Sequence, residues 1–296
     1  MLGVVNLDKP VGPTSHDMVG LMRRLTGTRR IGHAGTLDPL ASGVLPILVG
    51  PATRFSEELT GGHKRYEAVI RLGARSDTDD GEGPITPIDA PLPDEDTIRR
   101  ALETFVGTFE QRPPAFSARK RGGRTAHRAA RAGEALELPP RTVTVESIDV
   151  LGIAEVDGGG ADVEIDLRCG AGTYIRSIAR DLGDRLGCGG YLAALRRTEA
   201  AGLHASDAVS PERLESLASE GRLVEAILPV GALLPLPAVA LDAEIAWRFR
   251  HGSTVAVTDV PEGRVAVFEL DRLIGIGTAD HGSLRPEKVL PEATER

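Results

Sequence analysis

Three observations predict that the chain belongs to the α/β (α+β) class. Amphipathic helices and alternating strands are interleaved along most of it, one clear hairpin implies antiparallel pairing, and its end is a run of short strands. A length of 296 residues favours one large unit and a small one, with the division expected at 1–230 and 231–296. Apolar residues supply 41% of the chain and charged ones 26%, enough to build a core and too ordered a composition for a disordered protein.

Each element has a local cause. Met18, Leu21, Met22 and Leu25 recur at helical spacing behind the capping candidates Thr14 and Ser15, so a helix is expected that stops near Gly27. In KRYEAVIRL (64–72), Tyr66, Ala68, Ile70 and Leu72 share one face of a strand. Residues 97–106 carry Ile98, Ala101, Leu102 and Phe105 on one side of a second helix. Strands at 142–151 and 161–169 flank a Gly-rich turn at 157–160 and form the hairpin. A helix is expected at 173–187, with Ile175, Ile178, Ala179, Leu182 and Leu186 at core spacing. GALLPLPAV (231–239) reads as a linker, and the strands STVAV, RVAVFEL and LIGIGTA after it suggest a small β-barrel.

The N-terminus has neither the basic start nor the apolar run of a signal peptide, and no stretch approaches ~18 uninterrupted apolar residues. A cytoplasmic protein with no membrane contact is therefore expected. Cys169 and Cys188 form no CxxC pair and have no nearby histidine, so neither a metal site nor a disulfide framework is indicated. The formal net charge of −8 is unevenly spread. Residues 111–141 hold eight basic side chains against two acidic ones, a local +6, in an Arg-, Gly- and Pro-rich stretch that looks like an inserted arm with a short helix around 124–132. Such a patch inside an acidic protein points to an anionic partner.

The most distinctive segment is GHAGTLDPLASGVLPI (32–47). Turn chemistry alone makes it a tight loop entering a short helix, with Asp38 as N-cap and Pro39 at the first helical position. The whole string closely resembles the sequence around the catalytic aspartate of TruB-type tRNA pseudouridine synthases. NLDKPVGPTS (6–15), KRYEAVIRLG (64–73), QRPPAFSARKRGG (111–123), GTYIRSIARDLGDRLG (172–187) and YLAALRRTEAAG (191–202) resemble further motifs of that family, in its order. The end of the chain, closing on GSLRPEKVL, resembles a PUA-type RNA-binding barrel.

The resemblance implies a catalytic domain with a mixed, mostly antiparallel sheet flanked by helices, followed by the PUA-like barrel. It implies Asp38 as the nucleophile on a flipped-out uridine, in a reaction that breaks N1–C1′, rotates the base and rejoins it through C5, so that no cofactor is needed. Arg176 is expected to keep Asp38 ionised, and its planar guanidinium can donate two parallel hydrogen bonds. Tyr66 would lie against the target base, Tyr174 and Leu195 would wall the pocket, and His33 would insert where the flipped nucleotides leave the stack. Taken without the family, Leu195 reads as a core leucine on a helix and His33 as a loop residue too isolated to bind metal. Further RNA contacts are expected from Lys9, Arg119, Lys120, Arg121 and Arg196.

The implied substrate is uridine 55 in the T-arm of tRNA, acted on without an obligatory protein partner. Three other readings differ from it in what they require. A guide-RNA-dependent synthase would lack the long arm at 111–141; a noncatalytic RNA-folding protein would not need Asp38, Tyr66 and Arg176 together; a glycoside hydrolase would need a second catalytic carboxylate.

Overall fold

The computed structural model describes residues 1–116, 138–156 and 159–291, together with the backbone of 120–121 and 124–125. Helix α1 (Ser15–Thr26) forms where the apolar spacing requires, started by a reciprocal capping box between Thr14 and Asp17 and ended by left-handed Gly27. Five more α-helices follow among the described residues: α2 (Ser56–Thr60), α3 (Glu95–Glu103), α4 (Ile175–Leu186), α5 (Pro211–Ser219) and α6 (Ala243–Arg250).

The first strands are β1 (Gly3–Lys9), β2 (Ile31–His33), β3 (Ala41–Val49) and β4 (Lys64–Leu72), then a small hairpin of β5 (Ala74–Ser76) and β6 (Ile85–Pro87). Next come β7 (Gly107–Gln111), the short pair β8 (Lys120–Arg121) and β9 (Arg124–Thr125), the long hairpin β10 (Arg141–Glu155) and β11 (Ala161–Cys169), then β12 (Gly190–Ala200) and β13 (Leu203–His204). A sheet in the order β1-β3-β12-β4-β11-β10-β7, with β2 on β3 and β13 on β12, runs through the molecule. Its only parallel pairing among the described strands joins β12 to β3. A second sheet takes β14 (Ala238–Leu241), β15 (Val255–Ala256), β16 (Gly263–Glu269), β17 (Arg272–Asp280) and β18 (Ser283–Val289) in the order β14-β16-β17-β18-β15, with α6 packed against it.

Leu45, Ile47 and Val49 of β3 join a core that holds the apolar faces of α1, α3, α4 and α5, whereas Val44 and Leu48 face the other way into a core shared with Ala266, Leu273, Ile276 and Leu290. Burial on both faces explains an uninterrupted apolar run where a half-buried strand would alternate.

Three expectations are corrected. The segment following Asp38 is a turn leading straight into β3, with no helix. Leu195 lies on β12, also not on a helix. The stretch 231–239 is no free linker, because Val230 and Leu234 are buried in the shared core and Ala238–Leu241 pairs as β14. The helix expected around 124–132 falls largely outside the described residues, and its first two residues pair with β8 as a strand.

Candidate active site

Asp38 sits in the turn between β2 and β3, and its surroundings fix that turn from below. The hydroxyl of Ser15, at the start of α1, accepts from the Leu37 amide at 2.8 Å and donates to the Leu37 carbonyl at 3.0 Å. The Asp38 carbonyl accepts from the Ala41 amide at 3.0 Å, which closes the turn. One side of the residue preceding Asp38 is thus locked to a helix end and the other enters a strand.

Arg176 lies in the first turn of α4, whose start is held by Gln111 at the end of β7. The Gln111 amide accepts from the Tyr174 N–H at 2.9 Å and donates to the Tyr174 carbonyl at 3.0 Å. From there the guanidinium divides itself: Nη2 is 2.9 Å from Asp38 Oδ2, while Nη1 is 3.2 Å from Asp80 Oδ2. Nη1 also donates to the Thr78 carbonyl at 3.1 Å and Nη2 to the Phe116 carbonyl at 2.9 Å. The expected pair of parallel bonds onto Asp38 is therefore not formed. Instead Arg176 spans two carboxylates, one of them missed in the sequence. Asp80 is buried, its Oδ1 accepting from the Thr78 hydroxyl at 2.5 Å and from the Glu82 amide at 3.1 Å.

The two carboxylates differ in access. The Asp80 side chain is 3% exposed, the Arg176 side chain 6% and the Asp38 side chain 40%, so Asp38 is the open end of a buried relay. Burial pushes the Asp38 carboxyl above its ordinary value; Arg176 pulls it down and the nearby Asp80 pushes it up.

Asp38 opens on a cavity of about 250 Å³ lined also by Thr60, Lys64, Tyr66, Tyr174, Ile175, Arg176, Leu195 and Arg197. Sheet register brings several of these together: Tyr66 on β4 pairs with Arg197 on β12, and Leu195 pairs with Ala68 on one side and Ala41 on the other. Burial pushes the Tyr66 hydroxyl above its usual range. Arg197 is fully buried, donating to the carbonyls of Val44 at 2.7 Å and Gly35 at 3.1 Å. Its backbone is packed so closely on Gly43 that a Cβ there would lie 2.2 Å from the Arg197 carbonyl oxygen, and φ at Gly43 is +99°, so only glycine fits.

Of the expected catalytic residues, Asp38, Tyr66 and Arg176 share this cavity, as do Tyr174 and Leu195. Lys9 does not reach out toward a ligand: it is fully buried and donates to the carbonyls of Pro10 at 2.8 Å, Pro13 at 2.7 Å and Pro39 at 3.4 Å, bracing the Asp38 turn from behind. Arg196 points to the other sheet face and pairs with Asp8 through two 3.0 Å bonds, while its neighbour Arg197 faces the cavity. His33 is not among the cavity residues; its Nδ1 is buried with no described partner. Arg119 and the side chains of Lys120 and Arg121 lie outside what is described. The start of the arm is anchored, since the Arg112 carbonyl accepts from Ser177 at 2.9 Å and Arg180 at 3.0 Å. Among the described residues no cluster of three or more His, Cys, Asp or Glu is placed to hold a metal ion, and no helix is long and apolar enough to cross a membrane.

Asp38 on its turn, the buried Arg176 tethered to it and Tyr66 thus border one open cavity. Residues 23–175 match the N-terminal domain of the TruB family of pseudouridylate synthases. Residues 176–235 match the tRNA pseudouridylate synthase B C-terminal domain, and residues 237–290 a further C-terminal domain of pseudouridine synthase II TruB. The tRNA pseudouridine synthase B of Dechloromonas aromatica is 43% identical over 95% of this chain and 93% of its own length, and that of Burkholderia mallei 41% identical over 97% and 96%. A structure of an H/ACA RNP bound to a substrate RNA containing 2′-deoxyuridine superposes with a TM-score of 0.74 at 27% identity, covering 98% of this chain and 86% of the other. The chain belongs to the TruB family of pseudouridylate synthases, and its C-terminal sheet is that family's PUA-like domain.

Proposed function

We propose that this protein converts uridine 55 in the T-arm of tRNA to pseudouridine, acting alone in the cytoplasm, with Asp38 as the nucleophile. One observation carries the reading: an Asp38 carboxylate with 40% of its side chain open, held 2.9 Å from a buried Arg176, faces the cavity. The name of the curated relatives supports tRNA as the substrate. Residues 1–230 then form the catalytic unit, carrying the basic arm at 111–141, and residues 231–296 the second RNA-binding unit.

In this reading the target nucleotide leaves its stack, at a cost of about a few kcal/mol, and the uracil enters between Tyr66 and Leu195. The N1–C1′ bond breaks while Asp38 forms and later releases its adduct, and C5–C1′ is made after the base turns. C5 gives up a proton and N1 gains one, so the composition is unchanged. Arg176 keeps the carboxylate ionised and aimed, and Asp80 keeps Arg176 in place.

The likeness to the H/ACA RNP structure favours a second reading, a guided enzyme that needs other components. One experiment separates the two. Unmodified tRNA transcripts are incubated with the protein alone, and pseudouridine is mapped along the chain. Modification confined to position 55 is the expected result; no modification without a guide or partner, or modification elsewhere, contradicts the reading.

A further inference from the structure

The relay of Asp38, Arg176 and Asp80 balances its own charge to within one unit, but the same cavity holds two more cations. Lys64 and Arg197 both line it, and among the described residues neither has a carboxylate partner. They converge on Gly35, where a Cβ would stand 3.4 Å from Arg197 Nη1 and 3.7 Å from Lys64 Cε. Lys64 Nζ donates to the carbonyls of Thr60 at 2.9 Å and Gly62 at 2.8 Å. An ammonium has three N–H groups, so one is left over. Two buried cations, held by carbonyls and, for Arg197, also by the Tyr66 hydroxyl, carry a desolvation cost that no neighbouring carboxylate offsets. Because both line the cavity, whatever fills it feels their charge.

We propose that Lys64, backed by Arg197, is a further catalytic group of this enzyme, whose ammonium takes up the negative charge that the uracil carries while it is detached from the ribose. The inference rests on the function proposed above. When N1–C1′ breaks, the bonding electron pair goes to the ring, and the charge spreads over N1 and the carbonyl oxygens. The same electron pair is then used to form C5–C1′, after which the C5 proton is lost and N1 is protonated. A preorganised cation beside the ring lowers the energy of the charged stage without itself giving up a proton. Arg197 also keeps Lys64 tuned: β12 presents Arg197, β11 presents Cys169 with its thiol pushed up to about 11, and β4 carries Tyr66. Burial and Arg197 together lower the Lys64 ammonium to about 8.

The test is single-turnover conversion of saturating T-arm RNA by the full chain from about pH 6 to about pH 10, with Lys64→Met and Lys64→Arg beside the parent, and binding measured separately. The parent should lose rate as pH rises through about 8. Lys64→Met should run roughly a hundredfold slower at neutral pH with RNA affinity and its salt dependence unchanged, the size of effect found when one fixed electrostatic donor is removed. Lys64→Arg should recover most of the rate and move the alkaline fall out of range. Lys9, also lowered to about 8, is the other group that could titrate there, and persistence of the fall in Lys64→Arg would assign it to Lys9 and overturn the proposal. A near-normal rate in Lys64→Met, or a loss confined to affinity and salt slope as for a phosphate-binding lysine, would overturn it as well. Parent protein that makes no pseudouridine at all would instead defeat the underlying function.

Discussion

Arg176 and Asp80 form a buried ion pair, Nη1 to Oδ2 3.2 Å apart, behind the carboxylate that faces the cavity. The pair leaves only one terminal nitrogen of Arg176 for Asp38, so the aim of the nucleophile depends on a residue with no path to the substrate. Asp80→Asn keeps the shape and one acceptor but removes the charge. The single-turnover rate should fall by roughly tenfold to a hundredfold, with RNA affinity unchanged, as when one partner of a buried pair is removed. A rate within about twofold of the parent would reduce Asp80 to a packing role.

Arg176→Lys tests the division of the guanidinium. A lysine carries the charge but cannot span two carboxylates and also serve the carbonyls of Thr78 and Phe116. The cost should be on the order of 3 kcal/mol, or more than a hundredfold in kcat, since the group acts on chemistry more than on gripping RNA. Normal speed in a single-turnover assay would mean that charge alone suffices.

The pH dependence follows from burial of the nucleophile. Asp38 must be ionised to attack, and its carboxyl is held above the ordinary 3.8. Rate should therefore rise with pH through an apparent value above 3.8, and Asp80→Asn, by removing a like charge, should move that acid limb to lower pH while lowering the plateau. For stability the sign is the reverse: the folded chain binds this proton more tightly than the unfolded one, so ionising Asp38 costs stability as pH rises past 3.8. Rate profiles of the two proteins check the first statement, and a Tm for Asp38→Asn no lower than the parent's at neutral pH checks the second.

The basic arm is predicted from charge alone. Replacing Arg119, Lys120 and Arg121 with alanine should weaken tRNA binding and reduce the slope of log affinity against log salt by ~0.7 to 0.9 for each phosphate no longer neutralised. Titrations at several salt concentrations would show it, and an unchanged slope would make the arm an ordinary solvated surface.

Much of this was legible in the sequence, and the failures have physical causes. Helix α1 and strand β4 were read correctly because each buries one face, so the apolar period shows. Strand β3 is buried on both faces and β12 carries register shifts between Leu192 and Ala194 and between Arg197 and Glu199, so neither displays a period of two. The second shift belongs to the stretch where Arg196 was expected at the RNA and Arg197 stands in the cavity, since one step along a strand exchanges faces. Asp80 falls within residues 77–110, where ten carboxylates face only Arg99 and Arg100 and a solvated surface is the ordinary reading, although Asp80 itself is buried. Gln111 holds Tyr174 by hydrogen bonds, and Lys64 is itself held in the cavity by hydrogen bonds to Thr60 and Gly62. No local spacing announces them.

The central claim is that Asp38 performs the covalent step. The most direct test is Asp38→Asn under single-turnover conditions with saturating T-arm RNA, alongside its RNA affinity. An amide cannot form and release the adduct, so pseudouridine should be undetectable while binding stays within about threefold of the parent. Turnover within about tenfold of the parent would contradict the account, because the carboxylate that the fold holds beside Arg176 would then not be the nucleophile.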